Sequence, residues 1–306
     1  MSLKVVFLGT SGAIPTLQRG LPAVVLQRGS EQLMFDCGEG VQRQMLRAKV
    51  GFHRRLKVFL THLHGDHVLG LPGLLQTMAL MDRRQPVEVY GPVGVLGFLE
   101  CVQKALQFGL TYAVEVHEVA GAGVVCDEEE YVVVAERSNH VVPSFAYAFV
   151  EKMRPGKFYP EKALALGVAE GEAWGRLQRG QKVTLPGGVV VNPEDVCGPK
   201  RPGRKVVYTG DTRPFLAFAE FAADADLVIH EATFDDALAE KADLDGHSTP
   251  RQAAEAARAA RAKKLVLTHV SARYAEPSVL LGQAKKVFVD TQVAEDFLEL
   301  ELPLTE

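Results

Sequence analysis

The run Thr61-His62-Leu63-His64-Gly65-Asp66-His67 constrains this chain more than any other part of its sequence. Three imidazoles and one carboxylate occupy positions 62 to 67, directly after Lys57 to Thr61, an apolar segment with the pattern of a buried strand. Crowding such groups costs solvation and mutual repulsion unless a cation holds them together. A turn this tight cannot aim all four at one ion. His62 and His64 alternate as strand-like neighbours and can grip one metal, while Asp66 and His67, beyond the Gly65 turn, can reach a second roughly 3.5 to 4 Å away. Imidazole and carboxylate ligands without thiolate suit zinc, with manganese or iron able to substitute.

The strand that delivers His62 has an echo. Lys264-Leu265-Val266-Leu267-Thr268-His269 nearly repeats Lys57-Val58-Phe59-Leu60-Thr61-His62, and the same grammar recurs at Lys205 to Asp211 and at Asp226 to Glu231. Each is a buried-type strand with a polar ligand type at its C-terminal end, where layered α/β proteins gather their sites. Two related halves facing one shared site would produce this pattern. Further strands are expected at Lys4–Leu8, Gln32–Asp36, Val87–Tyr90, Val114–Val119, Tyr131–Glu136 and Phe145–Val150, and helices at 41–48, 69–81, 94–107 and 250–262. The alternation makes the class α/β. Thr249, Pro250 and Gln252 form a helix start with a capping box, which puts His247 and Ser248 in the loop before a helix N-terminus.

At 306 residues with 47% hydrophobic and 24% charged residues, the chain can bury a sizeable core and disorder is not the default. No stretch approaches the ~20 apolar residues needed to cross a bilayer, and the opening Met1 to Gly9 reads as a strand, so a cytoplasmic location is expected. Cys37, Cys101, Cys126 and Cys197 lie far apart and suggest neither a zinc knuckle nor a disulfide framework. A net charge of −4 leaves any case for a nucleic-acid partner to local features. Arg54-Arg55, Arg83-Arg84, Lys200-Arg201 with Arg204-Lys205, and Lys263-Lys264 could track a phosphate backbone, although each pair alone reads as solvated surface. Residues 151–203 differ in texture, rich in Gly, Pro and charge, and read as an inserted arm; Trp174 within it suits either a base-stacking platform or a staple for the arm.

The remaining candidate ligands come from distant segments. His140 follows the strand at Tyr131, Asp211 lies in Tyr208-Thr209-Gly210-Asp211-Thr212, and His269 ends the echo strand. An aspartate such as Asp211 can place one oxygen on each of two metals, which together draw the pKa of a shared water towards neutrality. His53 and His117 fall outside these patterns.

Several segments, in order along almost the whole chain, resemble ribonuclease Z, the tRNA 3′-processing endoribonucleases of the metallo-β-lactamase superfamily. The 62–67 turn carries the superfamily likeness. Phe35-Asp36-Cys37-Gly38-Glu39-Gly40, Glu136-Arg137-Ser138-Asn139-His140, His230-Glu231-Ala232-Thr233, Gly246-His247-Ser248-Thr249 and Thr268-His269-Val270-Ser271-Ala272-Arg273-Tyr274 narrow it. The resemblance implies a four-layer αββα sandwich with two mixed sheets, one domain over 1–306 with the arm at 151–203 as a substrate exosite. It implies two zinc ions, one held by His62, His64 and His140 and the other by Asp66, His67 and His269, with Asp211 bridging. Asp66 would also orient the attacking water, His247 supported by Glu231 would protonate the departing 3′ oxygen, and Arg273 and Ser248 would contact substrate. The implied substrate is precursor tRNA and the implied assembly a homodimer. The chain departs from the family pattern at Gly171-Glu172, where the arm usually has Gly-Pro, and at Gln18-Arg19-Gly20, where Arg-Asn is common. Two other readings stand beside this one: hydrolysis of small phosphodiesters or other esters on the same fold, and a metal-binding regulatory protein without turnover.

Overall fold

The computed structural model describes residues 2–304. They form two compact units, one of residues 2–150 and 205–303, the other of 151–204 with Leu304.

The larger unit holds two seven-stranded mixed sheets. In the first, Glu299–Glu301, Leu3–Gly9, Ala23–Arg28 and Glu31–Phe35 pair antiparallel, and Arg55–Phe59, Val87–Pro92 and Val114–Val119 continue in parallel. In the second, Thr291–Val293, Leu265–Thr268, Leu227–Glu231 and Lys205–Tyr208 run parallel, followed by Phe145–Glu151, Tyr131–Arg137 and Gly123–Asp127. The expected strands are all present within a residue or two. Ala23–Arg28, Gly123–Asp127, Thr291–Val293 and Glu299–Glu301 are additions that the sequence reading missed, most of them short or at sheet edges.

Three apolar layers follow from the twofold alternation of these strands. Between the sheets lie Leu3, Val5, Phe7, Phe35 and Phe59 from one and Tyr147, Phe149, Val206, Ile229 and Val266 from the other. The outer face of the first sheet packs Val6, Leu8, Met34 and Val58 against Val41 and Met45 of helix Val41–Arg47 and Leu71, Leu74 and Met78 of helix Gly70–Leu80. The outer face of the second packs Val207, Val228 and Leu265 against Ala253, Ala254 and Ala257 of helix Pro250–Ala259 and Leu280 and Ala284 of helix Ser278–Lys285. Helix, sheet, sheet, helix is thus the order of layers. The capping box at Thr249 and Gln252 forms as the sequence requires. The helix expected over 69–81 forms as Gly70–Leu80, and a separate single turn before it, Gly65–Val68, carries the Asp66 and His67 side chains. Among the described residues no helix is long and apolar enough to cross a membrane.

Residues 151–204 have an apolar centre of their own, made by Ala163, Val168, Leu177, Val183, Val191 and Val196. Helices Pro160–Ala165 and Glu172–Gln178, a ribbon of Val183–Thr184 with Val190–Val191, and the turn Pro193–Val196 supply it. Trp174 packs, partly buried, against this centre: its Nε1 donates to the Val168 carbonyl at 3.0 Å and its ring meets Phe158, so it staples the unit. At the base, Glu151 and Arg204 form a buried fork, with Nε donating at 2.8 Å and the second guanidinium nitrogen at 2.7 Å.

Candidate metal centre

Strand ends and the segments directly after them deliver the side chains of the cluster. His62 and His64 follow Arg55–Phe59, Asp66 and His67 sit on the single-turn helix beyond, and Asp211, Glu231 and His269 follow or end strands of the second sheet. Gly210 turns the chain ahead of Asp211 at φ +58°, and a Cβ there would come within 2.6 Å of Thr61, so only glycine lets this loop lie against the facing strand end. Asp36 and His269 hold left-handed backbone at φ 55° and 57°, a conformation costing on the order of 1–3 kcal/mol, which surrounding contacts must enforce.

The seven sequence-derived ligands converge in two groups. His62 Nε2 lies 3.0 Å from His64 Nδ1, which is 3.3 Å from His140 Nε2, and Asp211 Oδ2 is 3.8 Å from His62. On the other side His67 Nε2 is 3.4 Å from both Asp66 and Asp211, and His269 Nε2 is 3.5 Å from Asp66 and 3.2 Å from Asp211 Oδ1. Asp211 thus touches both groups, with Oδ2 between His62 and His67 and Oδ1 towards His269.

These groups fit a pair of cations. His67 Nε2, His269 Nε2 and Asp211 Oδ1 are buried without a hydrogen-bond partner, an arrangement costing ~1–3 kcal/mol per atom if nothing met them. Tetrahedral donors at ~2.0 Å from zinc stand ~3.3 Å apart, close to the separations found. The far nitrogens of the rings are anchored: His67 Nδ1 by Asp36 Oδ2 at 2.8 Å, His140 Nδ1 by the Gly246 carbonyl at 2.8 Å, His62 Nδ1 by Thr61 Oγ1 at 3.0 Å and His269 Nδ1 by Thr233 Oγ1 at 2.7 Å. Such partners orient ligating rings. Without a cation the cluster is in electrostatic conflict. Burial, with His67 beside it, drives His62 well below the usual imidazole range, whereas in His67 burial is overcome by Asp211 and Asp36, which drive it well above.

Beside the cluster, His247 Nδ1 meets Glu231 Oε1 at 2.9 Å. Burial opposes charge on this imidazole, but the Glu231 carboxylate outweighs it and its pKa is pushed up to about 9. Phe234 packs an edge on His247, and Arg273, exposed, lays its guanidinium 4.7 Å over the Phe234 ring. Ser248 is fully buried and its hydroxyl donates to the Thr212 carbonyl at 2.6 Å, so it braces the loop beneath His247 rather than lining the rim. His230, on the opposite face of its strand from Glu231, is buried against Phe218 with Nδ1 at 2.7 Å from the Glu231 carbonyl, away from the cluster. His117 stacks on Tyr90 and His53 lies exposed.

Asp36, Thr61, Thr233 and Tyr208 carry the cluster's hydrogen-bond frame, yet the sequence reading gave none of them a role. All four do lie inside quoted segments, Phe35-Asp36-Cys37, the run opened by Thr61, Tyr208 to Thr212 and His230-Glu231-Ala232-Thr233, the signal that could have marked them.

Comparisons with known proteins agree with this geometry. A family described as "Beta-lactamase superfamily domain" matches residues 31–270. A protein from Methanosarcina acetivorans named ribonuclease Z is 47% identical over 302 residues, covering 98% of either chain. One of the same name from Haloferax volcanii is 49% identical, covering 99% of this chain and 96% of its own. Among solved structures, the short form of human tRNase Z matches with a TM-score of 0.74 at 33% identity, covering 98% of this chain and all of the other.

Proposed function

Because the chain belongs to the ribonuclease Z family of the β-lactamase superfamily, we propose that it is an endoribonuclease that cuts the 3′ trailer from precursor tRNA and leaves a 3′-hydroxyl on the tRNA. The observation that carries this reading is the meeting of two ligand groups at Asp211 with the His247–Glu231 pair beside them. His62, His64 and His140 would hold one divalent cation, Asp66, His67 and His269 a second, and Asp211 would bridge, with zinc the best match to the donor set. When bound, such cations polarise a phosphoryl oxygen and lower the pKa of water towards neutrality.

The chain's own groups supply the remaining chemistry. Burial works against the Asp66 carboxylate, but the His269 and His67 imidazoles hold it far below the usual range, so it stays ionised and orients the attacking water by accepting a hydrogen bond. His247, kept protonated by Glu231, donates to the departing 3′ oxygen as the phosphorus–oxygen bond breaks. Arg273, fixed on the face of Phe234, pairs with a non-bridging phosphate oxygen.

Residues 151–204 serve as the exosite. They contain ten Lys and Arg against six Asp and Glu in a chain of net charge −4. The exposed Lys157, Lys162, Arg176, Arg179, Lys182 and Lys200 make no ion pair among the described residues, which leaves them for a phosphate backbone. Four free thiols suit a reducing cytoplasm. The exposed Leu69, Leu80, Met81 and Leu96 suit burial in a homodimer.

The deciding experiment incubates the purified protein with a tRNA carrying a 3′ trailer and maps the product ends. A cut at the acceptor end giving a 3′-hydroxyl on the tRNA, abolished by a chelator and restored by zinc, is expected. An intact substrate after zinc reloading would overturn the proposal.

A further inference from the structure

We propose that two buried threonine hydroxyls, Thr61 and Thr233, are matched positioning residues, each fixing the ring tautomer of one ligand histidine in its half of the site; this rests on the two-cation reading above. The case follows from counting protons. Glu231 Oε1 accepts from the Thr212 N–H at 3.0 Å and from His247 Nδ1 at 2.9 Å, and Oε2 accepts from the Thr233 N–H at 3.1 Å. Both oxygens are therefore acceptors, and the Thr233 hydroxyl, 2.7 Å from Oε2, must direct its single proton there. The same hydroxyl oxygen lies 2.7 Å from His269 Nδ1. With its proton committed it can only accept, so Nδ1 carries the ring hydrogen and Nε2 is left with a lone pair. That Nε2 is buried without a partner and faces Asp66 and Asp211.

The other half repeats the arrangement with different residues. Asp36 accepts from the Thr61 N–H at 2.8 Å and from the Tyr208 hydroxyl at 2.8 Å. Thr61 Oγ1 stands 3.0 Å from each Asp36 oxygen and 3.0 Å from His62 Nδ1. It donates to the carboxylate and accepts from the ring, which leaves His62 Nε2 bare towards His64 and Asp211. Thr61 directly precedes its histidine, whereas Thr233 reaches one 36 residues away. The two relays of carboxylate, hydroxyl and imidazole are thus assembled separately and are no by-product of the strand echo. Thr233 has an added connection, since its oxygen also lies 3.3 Å from His247 Nδ1 and so ties the second ligand group to the His247–Glu231 pair.

Thr→Val at either position keeps the shape and deletes the hydroxyl; Thr→Ser keeps the hydroxyl. Zinc affinity is read by competition with a chromophoric chelator, ring tautomers by nitrogen NMR of metal-free protein labelled at histidine, and folding by urea titration. Thr233→Val should weaken one of two zinc-binding steps about 10- to 100-fold and Thr61→Val the other, as expected for loss of a partner that orients a ligand. Both Ser variants should bind as wild type, and only the Val variants should lose the Nδ1–H signal of His269 or His62. Folded Val variants with wild-type affinity and tautomers overturn the proposal, as does a Ser variant as weak as its Val counterpart. Should a Val variant fail to fold, the wild-type spectrum decides: hydrogen on Nε2 with none on Nδ1 of His269 or His62 refutes it. A wild-type protein that binds no zinc would sink the two-cation reading, while the spectra still judge the hydroxyls.

Discussion

Replacing Asp36 by Asn removes one oxygen from the most connected buried carboxylate of the site. Asp36 is wholly buried and accepts from the Thr61 N–H, the Thr61 hydroxyl, the Tyr208 hydroxyl and His67 Nδ1 at 2.8 to 3.0 Å. An amide has one acceptor oxygen, so its nitrogen must face donors in either orientation. Turned towards Thr61 it meets a backbone N–H that cannot reverse. Turned towards His67 it donates to Nδ1 and pushes the ring hydrogen onto Nε2, the atom that faces Asp66 and Asp211. Zinc affinity at the His67 group should therefore fall about 10- to 100-fold, or ~1.4–2.8 kcal/mol. Metal-free stability should fall less than the ~1.5–3 kcal/mol normally assigned to a lost charge-assisted bond, because Asp36→Asn also relieves repulsion among the three aspartates. Chelator competition measures the first quantity and urea unfolding of metal-free protein the second. Unchanged zinc affinity in a folded variant would refute the claim that Asp36 sets the state of His67.

Three other outcomes are expected. His247→Ala should slow single-turnover cleavage of a trailer-bearing tRNA about 10²- to 10⁴-fold while zinc affinity stays at the wild-type value; an equal loss of both would remove His247 from the role of proton donor. Val150 and Lys205 are register partners, so a short turn can replace 151–204, and the shortened protein should lose tRNA cleavage but keep hydrolysis of a chromogenic phosphodiester; retained tRNA cleavage would favour the small-diester reading. Lys57 is fully buried between Glu88 at 2.5 Å and Glu128 at 2.8 Å, and Lys57→Ala should cost ~1–3 kcal/mol in urea unfolding, since it leaves the half-exposed Arg55 as the one cation pairing with both carboxylates. Burial opposes ionisation of both carboxylates but Lys57 holds them below the usual range, so their contribution is complete above the unfolded value near ~4.3 and is lost as pH falls through the lower folded values. Lys57→Met should accordingly flatten the acid side of the stability curve, and an unaltered slope would count against this pairing.

The sequence alone determined the class of the fold and most of the polar groups that meet. Period-two apolar runs specify strands, and a histidine or acid at each strand's end survives as a pattern because strand geometry is local. Period two also separates His230 from Glu231, since adjacent strand residues face opposite sides, yet which side held the site could be decided only once helix Pro250–Ala259 had covered one of them. The short edge strands were invisible because their pairing partners, not their own residues, define them. Trp174 took its meaning from Phe158 and Val168 beside it, and Ser248 from the Thr212 carbonyl. Asp36, Thr61 and Thr233 owe their roles to which atom lies within 3 Å, and a hydroxyl's choice between donating and accepting depends on every neighbour at once. Ligand identity is written residue by residue, whereas ligand orientation exists only when both sheets have brought their strand ends to the same edge.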